Sequence, residues 1–328
     1  MKKFVRILLT IVVIIIVLVG TGLAYFKSKF PVEIPVTEIK IERTPERIER
    51  GQYLVHHVTM CVDCHSERDW NYYSGPIKEE SYGKGGEMFD GPIAGIPGKI
   101  FAKNITPAGI GNYTDGELIR VITTGITKKG QALFPLMPFN HYREMAREDI
   151  YSIVAYIRSL KPIENPVPER SLDFPMNLIV NTIPVPAAMI DAIPSKGDTL
   201  AYGKYMVNAA ACIECHSQRE KGELLKGLEF AGGFRFQLPN GDQIFTANIT
   251  PDMETGIGAL TKEGFIAKFK AFEEAKIPVK EHEKNTVMPW TKLSGMTETD
   301  LGAIYTYLRT IPPVKNKVIT FRSCKTTL

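Results

Sequence analysis

The chain has 328 residues, room for two or three domains, and its apolar and charged shares of 44% and 23% allow ordinary hydrophobic cores. The formal charge of +4 falls to +1 once Lys2, Lys3 and Arg6, which precede an apolar run, are set aside. No basic stripe is left over, so nucleic acid is set aside as a partner.

The first predicted element is an apolar helix. From Phe4 to Phe26 polarity is confined to Arg6, Thr10, Thr21, Gly20 and Gly22, and the uncharged stretch Ile7–Phe26 is 20 residues long. That matches the hydrocarbon thickness of a bilayer. Residues 1–27 are therefore expected to be a single-pass transmembrane signal-anchor, contacting membrane lipid. The charges Lys2, Lys3 and Arg6 on one flank slightly outweigh Lys27 and Lys29 on the other, which favours a cytoplasmic N-terminus. A cleaved signal peptide, with Gly22 and Ala24 at the cleavage site, is the alternative. Both readings export everything that follows. Residues 28–46 are expected to act as a linker spacing the first domain from the membrane.

Next comes a short helix, Glu46–Met60, running into Cys61-Val62-Asp63-Cys64-His65. The same arrangement returns as Leu200–Ala211 followed by Cys212-Ile213-Glu214-Cys215-His216. Both are C-x-x-C-H, the attachment pattern of c-type haem. Thiols one helical turn apart suit addition to two vinyl groups on one porphyrin edge, and the adjacent imidazole suits the proximal iron position. A thioredoxin-like dithiol, a zinc site and structural disulfides are the competing readings. No βαβ pattern surrounds either motif, and a zinc site would need each motif to donate ligands to a distant partner.

The duplication extends beyond these motifs. Arg50-Gly51-Gln52-Tyr53-Leu54-Val55 returns as Tyr202-Gly203-Lys204-Tyr205-Met206-Val207, and Asn104-Ile105-Thr106-Pro107 as Asn248-Ile249-Thr250-Pro251. Gly109-Ile110-Gly111 returns as Gly256-Ile257-Gly258, and Tyr156-Ile157-Arg158-Ser159 as Tyr307-Leu308-Arg309-Thr310. Cys61 and Cys212 lie 151 positions apart, as do Tyr156 and Tyr307, whereas the Asn-Ile-Thr-Pro copies lie 144 apart. Loop length differs while the ends stay in register, as expected of one fold used twice.

Met137 and Met288 are also 151 apart, each precedes proline, and each follows its motif histidine by 72 residues. A thioether is a soft neutral donor suited to the sixth position of a low-spin haem. Core filling is the alternative use of a methionine. His56, His57, His141 and His282 are rival ligands, but none recurs in the other half. Each half closes with an amphipathic helix, Arg147–Leu160 and Thr299–Thr310. In the first of these, Ile150, Val154 and Ile157 form one apolar stripe. Seven prolines between Lys161 and Lys196 exclude a continuous helix there, so residues 163–196 are read as an extended connector. Cys324, in the tail 316–328, has no second cysteine or histidine of a haem motif.

The layout resembles class I cytochromes c. That resemblance implies an all-α fold, with two tandem class I domains at residues 47–162 and 197–315 behind the membrane helix. It also implies a leading helix and a closing helix crossing beside the haem, with Gly51 under Tyr156 and Gly203 under Tyr307. The order of haem motif, Asn-Ile-Thr-Pro, Gly-Ile-Gly and Met-Pro-aromatic resembles the cytochrome c subunit of membrane-bound alcohol and gluconate dehydrogenases. Those subunits have three haem modules, where this chain has two.

The expected protein is a dihaem electron carrier. Cys61, Cys64, Cys212 and Cys215 would hold two covalent haems c, and His65, Met137, His216 and Met288 would ligate iron. It would lie on the inner (cytoplasmic) membrane with its domains facing the periplasm or cell exterior. Electrons would pass from a flavin or quinoprotein dehydrogenase towards a respiratory acceptor such as a terminal oxidase. A dihaem enzyme of peroxidase or sulfur-compound dehydrogenase type is the alternative, and it requires one haem with an exchangeable sixth position. Asn104, Thr106, Asn248 and Thr250 are expected either to donate to haem propionates or to form a turn.

Overall fold

The structure, a computed structural model, describes residues 2–273 and 276–325. Met1 and the last three residues of the tail, 326–328, lie outside the described residues. Lys2–Lys29 is a helix of 28 residues whose most apolar window has a mean hydropathy of 3.0, with no residue buried against the rest of the chain. Among the described residues it alone is long and apolar enough to cross a membrane. At about 1.5 Å per residue it is roughly 40 Å long, more than the hydrocarbon layer needs.

The segment after it does not stand off as a spacer. It lies along the helix Asp115–Thr124 of the first module. The Ile41 N–H donates to Asp115 Oδ2 at 2.8 Å, and Arg120 donates to the Ile34 carbonyl at 3.2 Å. Thr37 passes so close that a Cβ on Gly116 would sit 1.9 Å from its carbonyl oxygen.

In module one the leading helix is Pro45–Tyr53, capped by Thr44, whose hydroxyl accepts from the Arg47 N–H at 3.3 Å. Proline at the first helical position fits because its missing N–H is not needed there. The helix then widens into a π turn, Leu54–Val58, closed by a five-residue bond from the Thr59 N–H to the Leu54 carbonyl at 2.8 Å. Module one carries one residue more between Gly51 and Cys61 than module two carries between Gly203 and Cys212. The π turn absorbs that extra residue. The matching helix in module two, Thr199–Ala209, is regular.

The closing helices are Arg147–Ile157 and Glu298–Leu308, the second capped by Thr297, whose side chain accepts from the Asp300 N–H at 3.1 Å. Each crosses its leading helix at the expected glycine. A Cβ on Gly51 would lie 1.9 Å from the Ser152 carbonyl oxygen, and one on Gly203 would lie 2.0 Å from that of Ala303. Ile150, Val154 and Ile157 are buried, as their spacing predicts.

The fold is helix-rich but not all-α. Met88–Asp90 and Gly98–Phe101 form an antiparallel hairpin, as do Arg235–Gln237 and Gln243–Phe245. Chain that follows each closing helix returns to add a third strand, Ser171–Leu172 against the first hairpin and Phe321–Arg322 against the second. Lys99 pairs with Ser171 and Gln243 with Arg322, and those strand residues are again 151 positions apart. The repeating unit therefore runs past the limits at 162 and 315 expected from the motifs. The proline-rich connector is not a free strand either: the Ile190 N–H donates to Met145 and its carbonyl accepts from the Arg147 N–H at 2.9 Å.

The modules meet through a twofold-like polar junction. Asp149, fully buried, takes two 2.8 Å bonds from Arg50 of its own module and one of 2.6 Å from Tyr205 of the other. Asp300, equally buried, accepts from Tyr202 of its own module at 2.9 Å and from Tyr53 of the other. The two interdomain tyrosine oxygens also accept the N–H at the head of the opposite closing helix, Tyr205 from Ala146 and Tyr53 from Thr297. Each module thus uses its leading helix to cap the other's closing helix.

Candidate functional site

Both C-x-x-C-H motifs adopt one conformation. Met60 and Ala211 take left-handed backbone, with φ of 50° and 49°, and each heads a one-turn helix, Cys61–Cys64 or Cys212–Cys215. A non-glycine residue in that region is uncommon, and finding one at the same place twice marks a conserved local geometry within the chain. Residues three apart on a helical turn share a face, so the two sulfurs of each motif project together. None of the four cysteines forms a disulfide.

The histidines are held identically. His65 Nδ1 lies 2.6 Å from the Lys103 carbonyl, and His216 Nδ1 lies 2.7 Å from that of Ala247. A carbonyl only accepts, so Nδ1 carries the proton and Nε2 keeps its lone pair. Burial lowers the pKa of both imidazoles, and the carbonyl bond only partly offsets this, so the neutral ligand form is favoured. The partner of the non-ligating nitrogen also makes the ring a better donor.

The Asn-Ile-Thr-Pro motif has a structural task. Asn104 Nδ2 donates to the Ile163 carbonyl at 2.7 Å, while its Oδ1 accepts from the backbone and hydroxyl of Thr106. Asn248 repeats this with Val314 and Thr250. Asn104 and Asn248 thus pin the chain that leaves each closing helix, and they immediately follow the carbonyls that orient His65 and His216. Their side-chain polar atoms are engaged within the protein, which favours the turn over propionate binding.

The surroundings of the four thiols disfavour their ionisation. Burial, then Asp63, pushes Cys64 up to about 12, with a further contribution from Cys215 across the module boundary. Burial also pushes Cys212 up to about 12 and Cys215, beside Glu214, up to about 11. A redox dithiol of thioredoxin type needs the opposite shift. Cys215 acts on Cys64, and Asp63 acts on Cys215, which places both attachment turns at the junction between modules.

Met137 and Met288 sit half-buried against the core, each followed by a proline that heads a one-turn helix, Phe139–Tyr142 or Trp290–Leu293. Module one reaches across to the second of these. Ser74 Oγ donates to the Met288 carbonyl at 2.6 Å and accepts from the Trp290 N–H at 2.9 Å. Ser74 and its cross-module task carried no signal in the sequence, because its partners lie more than 200 positions away.

The rival histidines are otherwise engaged. His56 contacts the Tyr156 hydroxyl at 2.7 Å, and burial, then Lys292 and His57, lower its pKa to about 4. His57 Nδ1 donates to the Lys292 carbonyl at 2.7 Å. His141 bridges the modules, with Nδ1 on Asn208 at 2.7 Å and Nε2 on Glu214 at 2.8 Å. Burial opposes its charged form, but those two partners outweigh burial and raise its pKa. His282 pairs with Asp242 at 3.0 Å.

Two sets of paired thiols, each with an imidazole held at Nδ1 and bare at Nε2, are the donor set that covalent haem attachment requires, and the residues fit that group. The sites and the duplicated helical frame resemble those of c-type cytochromes. Comparison with known proteins agrees: the chain resembles cytochrome c subunits of sugar and alcohol dehydrogenases over most of its length. It is 30% identical to the fructose dehydrogenase cytochrome subunit of Gluconobacter japonicus over 81% of this chain and 52% of that protein. It is 28% identical to the cytochrome c subunit of the quinone alcohol dehydrogenase of Gluconacetobacter polyoxogenes, over 81% of this chain and 56% of that one. A diheme c-type cytochrome of Cereibacter sphaeroides is 25% identical over 78% of this chain and 83% of its own length. The chain spans about half the length of the two dehydrogenase subunits. No family model matches it.

Proposed function

We propose that the chain is a membrane-anchored electron carrier with two covalent haems, relaying electrons on the outer face of the cytoplasmic membrane. The observation that carries this is the twinned histidine geometry, in which Nδ1 is tied to a carbonyl and Nε2 is left as a donor. Haem, when bound, supplies the one-electron chemistry. Cys61 and Cys64, and Cys212 and Cys215, would hold it through thioethers. His65 and His216 would ligate iron through Nε2, and Met137 and Met288 would supply its thioether ligand. An imidazole and a thioether for each iron would leave oxygen or peroxide nothing to bind, which supports relay over catalysis. The shared placement of both attachment turns at the module junction supports transfer between the two haems.

The basic flank before Ile7 supports a cytoplasmic N-terminus and exported modules. Residues 34–41, lying on module one, would keep that module close to the bilayer. The named dehydrogenase relatives support a dehydrogenase as donor.

Reduced, solubilised protein is expected to show two c-type haems per polypeptide that resist acid–acetone extraction. Met137→Ala and Met288→Ala are each expected to remove the low-spin character of one haem. An unchanged spectrum in either variant would contradict Met ligation and favour a dihaem enzyme with an exchangeable position. Ser74→Ala removes two hydrogen bonds worth about 1 kcal/mol each, so Met288 ligation should weaken by up to roughly thirtyfold. A ligand-exchange titration resolved by haem should show that loss in module two alone.

A further inference from the structure

We propose that Asp242, His282 and Cys324 form a zinc site in module two, made of none of the haem-motif residues. Three separate segments converge there: the turn of the hairpin Arg235–Gln237/Gln243–Phe245, the loop that leads to Met288, and the tail beyond the strand Phe321–Arg322. His282 Nδ1 lies 3.0 Å from Asp242 Oδ1 and 3.6 Å from Cys324 Sγ, and the three donor atoms all lie within 4.8 Å of one another. Zinc bonds of about 2.0–2.3 Å in a tetrahedron put donors roughly 3.3–3.6 Å apart, close to this spacing.

The shared nitrogen distinguishes a metal site from a catalytic triad. In a triad the acid and the thiol would bind opposite ring nitrogens of the histidine. Here carboxylate and sulfur converge on Nδ1, while Nε2 turns to Glu281 at 3.4 Å. The site also has its own supports. Asn240 Nδ2 donates to Asp242 Oδ2 at 2.8 Å, and the Cys324 N–H donates to Oδ1 at 2.9 Å. The Asp242 side chain is fully buried, and that of His282 is 12% exposed. His282 is itself held in left-handed backbone at φ 67°. The fold does not demand this cluster. By the strand register, the matching hairpin position in module one is Gly98, and Asp173 takes the place of Cys324.

Zinc binding would release the Cys324 proton to solvent and join the tail and the Met288 loop to the hairpin, with no change of redox state. The test uses full-length, haem-loaded protein without a histidine tag, stripped with chelator, given equimolar Zn²⁺ and desalted. Zinc and iron are then measured per polypeptide. The wild type should retain one zinc, and His282→Ala and Cys324→Ser should each retain at least tenfold less at unchanged iron content. Iron content also reports that the variants have folded. A wild type that keeps no zinc, or variants that keep as much as it does, would overturn the site.

Discussion

Gly51→Ala should lower the melting temperature of module one by about 12–24 °C, whereas Gln52→Ala, one position away and exposed, should change it little. The added carbon would sit 1.9 Å from the Ser152 carbonyl oxygen and 2.7 Å from the Tyr156 Cβ. Neither neighbour is the movable end of a flexible side chain, so the helices must separate along their whole crossing. Overpacking of this kind costs about 3 kcal/mol, and roughly 4–8 °C accompanies each kcal/mol in a module of this size. Gly203→Ala should act similarly on module two, where the Ala303 oxygen would be 2.0 Å away. Far-ultraviolet circular dichroism melts of the loaded protein check both. A melting temperature unchanged by Gly51→Ala would mean that the helices do not cross there.

Asp149→Ala should destabilise the junction by about 3–5 kcal/mol, the usual cost of leaving one partner of a buried ion pair alone. It strips Arg50 of both its carboxylate bonds and Tyr205 of its acceptor. Asp300→Ala should cost less, about 1–3 kcal/mol, because its partners Tyr53 and Tyr202 are neutral and its cation, Lys196 at 3.7 Å, is largely solvated. That inequality follows from one difference between the repeats: Arg50 stands where module two has Tyr202. Denaturant unfolding followed separately at the two haems should show Asp149→Ala uncoupling the modules at lower denaturant than Asp300→Ala.

Much of this frame was legible in the sequence because it rests on strong local signals. The apolar run, the two motifs and the stripe of Ile150, Val154 and Ile157 follow from spacing, and the glycine–aromatic crossings from the resemblance to class I cytochromes c. The strands were missed for a physical reason. Each has two to four residues, too short for alternation, and a segment such as Arg235-Phe236-Gln237 becomes a strand only because its neighbours supply hydrogen bonds. The returning strands were hidden because proline-rich chain reads as a connector, although Asn104 and Asn248 pin it to each module. The one-residue mismatch between the leading helices was visible, but not its resolution as a π turn at Leu54–Val58.

The module junction was half legible. Tyr53 and Tyr205 recur, and so do Asp149 and Asp300, yet recurrence does not reveal that each tyrosine serves the other module's aspartate. The same holds for His65 and His216: their pairing with backbone carbonyls depends on loops whose lengths differ between the repeats.

Mass spectrometry of the mature polypeptide bears on the central claim most directly. The account predicts an intact mass equal to the chain plus two haems, with peptides spanning Cys61–His65 and Cys212–His216 each carrying one through thioether bonds. Unmodified thiols at those four cysteines, or zinc in place of haem, would contradict it.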